Sequence, residues 1–303
     1  MNSHDPALAK ARAQARLRRG MFLLPSLFTA LNIGAGYFSI TQTIEAISNN
    51  ANAQMHIDWA AIAILIAIPF DSLDGRIARM TNTCSDFGKE LDSLADVITF
   101  GVAPSLLAFV WGFKFLPDSI NLQLHHHLVQ AGVFLCFLYV IGGASRLARF
   151  NISHDPLPRN PGRPDRKYFV GMPIPAAAGL LAATVHFFNG IPVQAWWMAI
   201  IWLVLVGLSG FLMVSTWRFW SGKEINLSAR HPFQLLLVLA IVLYVTTRFS
   251  EVVLFAIALI YTFSGIWARA AYSWSRRRRY GQPRDTKSQP EASAPDADPL
   301  RPS

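Results

Sequence analysis

Charged side chains are scarce in this chain. Asp, Glu, Lys and Arg make up only 15% of its 303 residues, whereas a soluble domain carries about 25%. Cysteine is scarcer still: Cys84 and Cys136 lack the spacing of a metal site, and we expect both to be free thiols. The low charge argues against an ordinary soluble domain, and two unpaired cysteines exclude a disulfide scaffold.

Apolar residues are abundant instead. They make up 52% of the chain, and the mean hydropathy is +0.32. They form runs of the length that crosses a bilayer as an α-helix, without the alternation of β-barrel strands. The sequence therefore predicts an all-α, polytopic helical membrane protein with about eight transmembrane helices. The predicted spans are residues 21–42, 58–79, 93–113, 128–148, 172–190, 194–214, 232–247 and 252–268.

The basic residues fall mainly on one side of these spans. If the N-terminus is cytoplasmic, 25 of the 27 Lys and Arg residues lie in cytoplasmic segments, and only Lys114 and Arg248 lie outside. The positive-inside rule then predicts that both termini are cytoplasmic. The net charge of +9 would face anionic lipid head groups. We expect no nucleic-acid partner, because no basic segment is interleaved with aromatic residues.

The same pattern divides the chain into four segments. Residues 1–20 are predicted to form a basic cytoplasmic segment, 21–220 a membrane core, and 221–270 an additional transmembrane helix pair. The tail, 271–303, is basic at first and then predicted to be disordered.

Four aspartates lie at helical spacing where the second predicted span ends and the third begins. Asp71 and Asp74 share one helix face, and Asp92 and Asp96 share another. A short polar turn between the helices would bring all four carboxylates together at the cytoplasmic end of the membrane. Because charge beside lipid is costly, intramembrane carboxylates are functional candidates.

Clustered carboxylates repel one another unless cations or protons intervene. Hard oxygen ligands of this kind suit Mg²⁺ or Mn²⁺, and two such ions can clamp a diphosphate. Arg79 can pair with a phosphate group, and Gly75 leaves space for a ligand against the backbone. Asp96 lies one turn deeper than Asp92, which makes it the better candidate for a general base.

The complete pattern resembles the signature of the CDP-alcohol phosphatidyltransferase family, position for position. It reads Asp71-x2-Asp74-Gly75-x2-Ala78-Arg79-x8-Gly88-x3-Asp92-x3-Asp96. The resemblance implies an integral membrane enzyme with a six-helix core, usually dimeric, in which an alcohol hydroxyl displaces CMP from a CDP-linked lipid.

The resemblance also implies roles for these residues. The metal ligands would be Asp71, Asp74, Asp92 and Asp96, around two divalent ions, with Asp96 also acting as the base. The CDP group would lie against Asp74, Gly75, Ala78, Arg79 and Gly88. Asn32, a polar residue in the first span, is either a nucleotide contact or part of a helix interface.

Further segments narrow the choice of alcohol. Residues 25–32, 97–104, 145–151, 171–179 and 212–218 resemble the serine-using branch of the family, in its membrane-embedded bacterial and archaeal form. We therefore expect transfer of a phosphatidyl group from CDP-diacylglycerol to L-serine, by a homodimer in a bacterial inner membrane. Arg146, Arg149 and Thr99 are candidates for binding phosphate or serine. The arginines have an alternative role in anchoring the helix or binding lipid phosphate.

Other functions stay open at this point. Glycerol 3-phosphate, inositol phosphate or choline are alternative acceptors. An ion-coupled transporter would favour carboxylates near the membrane midplane and internal repeats, which this sequence lacks. No Ser-His or Cys-His arrangement is evident, so we expect direct displacement without a covalent intermediate.

Overall fold

The computed structural model describes residues 6–80, 86–117, 121–152, 168–220 and 244–280. Within this part of the chain nearly all of the regular structure is helical. Cys84, most of the seventh predicted span and the end of the tail lie outside the described residues. So do the side chains of Asp74, Ala78 and Arg79.

The described part of the chain contains eight α-helices. Their bounds are α1 Pro6–Ser48, α2 Ala53–Met80, α3 Asp86–Asp96, α4 Ala103–Phe109, α5 Leu122–Ile152, α6 Ile174–Phe187, α7 Trp196–Val214 and α8 Ser250–Tyr280, with a 3₁₀ turn at Asn50–Asn52. The predicted basic segment and the first predicted span form the single helix α1, without a break at residue 20.

Five helical segments in the described residues are long and apolar enough to cross a membrane. They are Asn50–Leu73, Phe87–Lys114, Leu122–Ile152, Trp196–Val214 and Ser250–Trp267. This confirms an all-α, polytopic integral membrane protein. Helix α1 packs along α2, and α5 packs along α7.

Helix α6 lies in the centre of the bundle. It has 14 residues and is shorter than the span predicted at 172–190, because Asn189 and Gly190 adopt positive φ angles of 53° and 68° that end the helix. Every residue from 177 to 186 is buried. A side chain at Gly190 would clash with the backbone carbonyl oxygen of Gln54, so glycine allows α6 to end directly against α2.

The segment from α3 to Lys114 is continuous but not uniform. Two π-helical turns, Val97–Val102 and Val110–Lys114, flank α4. π-helical turns are rare overall, and those that do occur are often found at functional sites. The first follows Asp96 directly, and Tyr139 of α5 donates a 3.0 Å hydrogen bond to the carbonyl oxygen of Phe100 within it.

One small β-ribbon interrupts the helical pattern, and the sequence did not predict it. Strands β1 Tyr168–Val170 and β2 Arg218–Trp220 pair antiparallel, with Phe169 opposite Phe219. Phe219 is fully buried. The ribbon thus inserts an aromatic side chain among the helices after α5 and α7.

Candidate active site

Three of the four signature aspartates meet where α2 approaches α3. One carboxylate oxygen from each of Asp71, Asp92 and Asp96 lies within 4.8 Å of the others. All three side chains are half-buried. The helical spacing accounts for this geometry, because Asp92 and Asp96 are one turn apart on α3 and both face the end of α2.

The donor set suits a divalent cation. All three groups are carboxylates, the hard oxygen ligands that Mg²⁺ and Mn²⁺ prefer. Oδ1 of Asp92 is buried and has no hydrogen-bond partner among the residues that the structure describes. A buried acceptor without a partner is costly, and a bound cation would supply the missing interaction. The aspartate cluster can therefore bind a metal ion.

Two signature glycines lie on the same helices as the carboxylates. Gly75 is one turn beyond Asp71 on α2, and Gly88 is one turn before Asp92 on α3. Both are half-buried. They flank the aspartate cluster at the end of the helix pair that the sequence assigns to the cytoplasmic side.

The two candidate arginines have different surroundings. Arg146 is half-buried, its Nε atom is buried without a hydrogen-bond partner in the described part of the chain, and it lies within electrostatic range of Asp96. Arg149 is exposed and donates a 3.4 Å hydrogen bond to the carbonyl oxygen of Val214, at the end of α7. Arg146 is therefore the arginine beside the carboxylates.

Asn32 and Thr99 join α1 to the first π-helical turn. Both residues are fully buried, and the Thr99 hydroxyl donates a 2.9 Å hydrogen bond to the backbone oxygen of Asn32. Neither side-chain amide atom of Asn32 has a partner among the described residues. Thr99 thus makes a helix contact three residues after Asp96, and the Asn32 amide remains available to a ligand.

One hydrogen bond beside the site joins the end of α5 to α3. Asn151, near the end of α5, donates a 3.0 Å hydrogen bond to the hydroxyl of Ser93, the neighbour of Asp92. Residue 151 lies in a segment that resembles the family, and nothing in the sequence links it to Ser93.

A second polar network lies elsewhere in the bundle. Nδ1 of His186 is 2.7 Å from Oδ1 of Asp58, and Nε2 is 2.9 Å from the hydroxyl of Ser250. With its proton on Nδ1, the imidazole donates to Asp58 and accepts from Ser250. The sequence did not reveal this Ser-His-Asp contact, because its three residues belong to α6, α2 and α8.

The network is remote from the aspartate cluster. Asp58 and Asp71 are 13 residues apart on α2, which corresponds to roughly 20 Å along a helix axis. Ser250 therefore cannot act as a nucleophile on a group held by the aspartates, and the network ties three helices together at the opposite end of α2.

The fold and the site together define a membrane-embedded protein with a half-buried carboxylate cluster that could hold a cation. Residues 22–206 match the family model of CDP-alcohol phosphatidyltransferase. This match covers more than half of the chain, and the protein therefore belongs to the CDP-alcohol phosphatidyltransferase family, as the aspartate signature predicted.

Curated relatives share one description. A Helicobacter pylori protein named CDP-diacylglycerol–serine O-phosphatidyltransferase is 37% identical over 229 residues, covering 73% of this chain and 82% of the relative. Proteins of the same name from Saccharomyces cerevisiae (34% identical, 54% of this chain and 56% of the relative) and Methanocaldococcus jannaschii (39% identical, 50% and 59%) are also similar.

Proposed function

We propose that this protein transfers the phosphatidyl group of CDP-diacylglycerol to the hydroxyl of L-serine, giving phosphatidylserine and CMP. The proposal rests on the cluster of Asp71, Asp92 and Asp96 beside Arg146. The carboxylates can hold a divalent ion that binds the diphosphate, and the guanidinium can pair with the carboxylate of the acceptor. The names of the relatives support serine as that acceptor.

The metal ligands we propose are the three clustered aspartates together with Asp74, which follows Asp71 by three residues in the signature. We propose two ions, Mg²⁺ or Mn²⁺. When bound, such ions neutralise the diphosphate and stabilise the charge on attacking and leaving oxygens. The CDP group would contact Gly75, Ala78, Arg79 and Gly88, with Asn32 as a further nucleotide contact.

Asp96 is the proposed general base. It accepts the proton of the serine hydroxyl, whose oxygen then forms a bond to the phosphorus that bears diacylglycerol. The bond from this phosphorus to the bridging oxygen breaks, and CMP leaves with that oxygen. We propose direct displacement, since the serine of the His186 network is remote from the cluster.

Arg146 is the proposed partner of the serine carboxylate. Its guanidinium offers several N–H donors in a planar fork that matches a carboxylate, and it lies beside the proposed base. Arg149 is bonded to the end of α7, and we propose that it stabilises that helix end. The Thr99 hydroxyl is bonded to Asn32, so we propose that it positions α1 rather than binding substrate.

We further propose a homodimer in a bacterial inner membrane, with both termini and the aspartate site on the cytoplasmic side. The one-sided distribution of Lys and Arg supports this orientation. CDP-diacylglycerol would enter from the inner leaflet with its acyl chains in lipid, and serine would arrive from the cytoplasm. Residues 21–220 would form the catalytic core, and 221–270 an added helix pair.

The direct test uses the purified protein with CDP-diacylglycerol and Mn²⁺ or Mg²⁺. CMP release is measured with serine, glycerol 3-phosphate, inositol phosphate or choline as the acceptor. We expect CMP release that requires serine and produces phosphatidylserine. Release with glycerol 3-phosphate but not with serine would overturn the proposed acceptor.

A further inference from the structure

Helix α3 carries two of the three clustered aspartates on one of its faces. At about 3.6 residues per turn, Asp92 and Asp96 lie about 40° apart around the helix axis. The opposite face carries Phe87 and Leu94, which are 77% and 62% exposed. Side chains this exposed do little to fix the rotation of α3, although this rotation decides whether both carboxylates face Asp71.

One hydrogen bond reaches α3 from the end of α5, between two half-buried side chains. The side-chain amide of Asn151 donates to the hydroxyl oxygen of Ser93 at 3.0 Å. The Ser93 hydroxyl in turn donates to the backbone oxygen of Lys89 at 3.0 Å. Because the hydroxyl proton is committed to Lys89, the group that faces the Ser93 oxygen has to be a donor. The NH₂ group of Asn151 meets this requirement.

Helix α5 is itself anchored near this contact. Two residues before Asn151, Arg149 bonds to the carbonyl oxygen of Val214 at the end of α7. About three turns earlier on α5, Tyr139 bonds to the carbonyl oxygen of Phe100 in the first π-helical turn. The Asn151 amide therefore holds Ser93 in place relative to the core of the bundle.

The contacts at Ser93 and Thr99 enclose Asp96 in the sequence. The Thr99 hydroxyl holds the chain after Asp96 to α1, and the Ser93 hydroxyl holds the chain before it to α5. Contacts with two different helices fix both the position and the rotation of this segment. Without the Ser93 contact, the first half of α3 turns more readily and carries Asp92 away from Asp71.

We propose that Asn151 is a positioning residue that acts through Ser93 to hold the carboxylates of Asp92 and Asp96 toward Asp71, which raises the affinity of the cluster for a divalent cation. This inference rests on the proposed function, which assigns these carboxylates to the cation. Groups that orient metal ligands without touching the ion typically contribute about 10–100-fold to metal affinity.

The test measures the binding of Mn²⁺ to the purified protein in detergent, by the electron paramagnetic resonance signal of the free ion. Asn151→Ala and Ser93→Ala should each raise the Kd for Mn²⁺ about 10-fold, because each removes the same contact. Ser72→Ala is the matched control. Ser72 is the neighbour of Asp71, but its hydroxyl is exposed and bonds within its own helix, so this variant should keep the wild-type Kd.

Two further measurements separate positioning from a general loss of stability. The double variant of Asn151→Ala and Ser93→Ala should have a Kd close to that of either single variant, since residues that act as a unit are not additive. Saturating Mn²⁺ should restore the kcat of serine-dependent CMP release in Asn151→Ala. A merely structural role would lower the unfolding temperature without Mn²⁺ and leave the Kd of the folded protein unchanged.

An unchanged Mn²⁺ Kd in either single variant, or full additivity in the double variant, would overturn the inference. A kcat that stays low at saturating Mn²⁺ would do so as well, because Asn151 would then act on the substrates. A wild-type protein that binds no Mn²⁺ would instead refute the cation site of the proposed function.

Discussion

The hydroxyl of Thr99 donates a 2.9 Å hydrogen bond to the backbone carbonyl oxygen of Asn32, across the contact between α1 and the first π-helical turn. Both residues are fully buried. The bond lies three residues beyond Asp96, so it fixes the helix that carries the proposed base against the helix that carries a proposed nucleotide contact.

Thr99→Val should destabilise the protein by about 1–3 kcal/mol, because the buried carbonyl of Asn32 loses the Thr99 donor. Thr99→Ser keeps the hydroxyl and should lose less stability and activity. Thermal unfolding in detergent and CMP release measure the two effects. Thr41→Val is a matched control, since the Thr41 hydroxyl bonds only within its own helix and is exposed. Equal losses in Thr99→Val and Thr41→Val would contradict the interpretation.

Two glycines on α1, Gly34 and Gly36, allow a direct test of the close approach between α1 and the first π-helical turn. A side chain at Gly36 would meet the Thr99 hydroxyl oxygen at 2.5 Å and its Cα at 2.8 Å, whereas a side chain at Gly34 would meet nothing within 4 Å. Gly36→Ala should therefore separate α1 from the π-helical turn and lower both stability and CMP release. Gly34→Ala should be neutral or stabilising by about 0.5–1 kcal/mol.

Each variant adds one methyl group to α1, and the two positions lie about half a turn apart. Their unfolding temperatures and their rates of CMP release are measured side by side. If Gly36→Ala behaves like Gly34→Ala, the close approach at Thr99 does not support the site.

The His186 network should contribute to stability and not to catalysis. His186 is 5% exposed and bonds both Asp58 and Ser250. His186→Ala should lower the free energy of unfolding by about 1–3 kcal/mol, since it leaves two polar partners without their bonds. Ser250→Ala should cost less stability and leave the kcat of serine-dependent CMP release unchanged, with no phosphatidyl-enzyme adduct in either protein. A covalent adduct that disappears in Ser250→Ala would contradict direct displacement.

The parts of this architecture that depend on local spacing were predictable from the sequence. Asp71, Asp92 and Asp96 meet because residues three or four apart share a helix face. Five of the eight predicted spans correspond to described helices that are long and apolar enough to cross a membrane. Pro173 and Pro175 flank Ile174, where α6 starts, and proline is common at the first turn of a helix. The predicted span at 172–190 is longer than α6. A hydropathy pattern does not indicate the left-handed backbone conformation of Asn189 and Gly190, which ends the helix.

Features that depend on distant contacts were not predictable. His186 lies 128 residues from Asp58, and nothing near either residue in the sequence indicates the other. The π-helical turn at Val97–Val102 depends on tertiary contacts such as the Tyr139 bond to Phe100. The same applies to the stacking of Tyr261 of α8 on Phe219 of β2, whose ring centroids lie 5.9 Å apart.

The aspartate cluster can be divided experimentally into cation ligands and a base. A ligand that binds only the folded protein stabilises it by about 2.7 kcal/mol at 100 times its Kd, so Mn²⁺ should raise the unfolding temperature of the wild type. Asp92→Asn should largely lose this rise together with its activity, because Asp92 supplies a buried carboxylate oxygen to the site. Glu90→Gln on the same helix changes an exposed carboxylate and should keep both.

Asp96→Asn should separate binding from chemistry. Loss of a general base costs about 10²–10⁴-fold in rate, so the rate of serine-dependent CMP release should fall by at least about 100-fold. Binding of CDP-diacylglycerol, measured with the purified variant in Mn²⁺, should survive, because Asp71 and Asp92 still face the site. Near-normal turnover in Asp96→Asn would show that another group takes the serine proton. Loss of CDP-diacylglycerol binding would show that Asp96 acts mainly as a cation ligand.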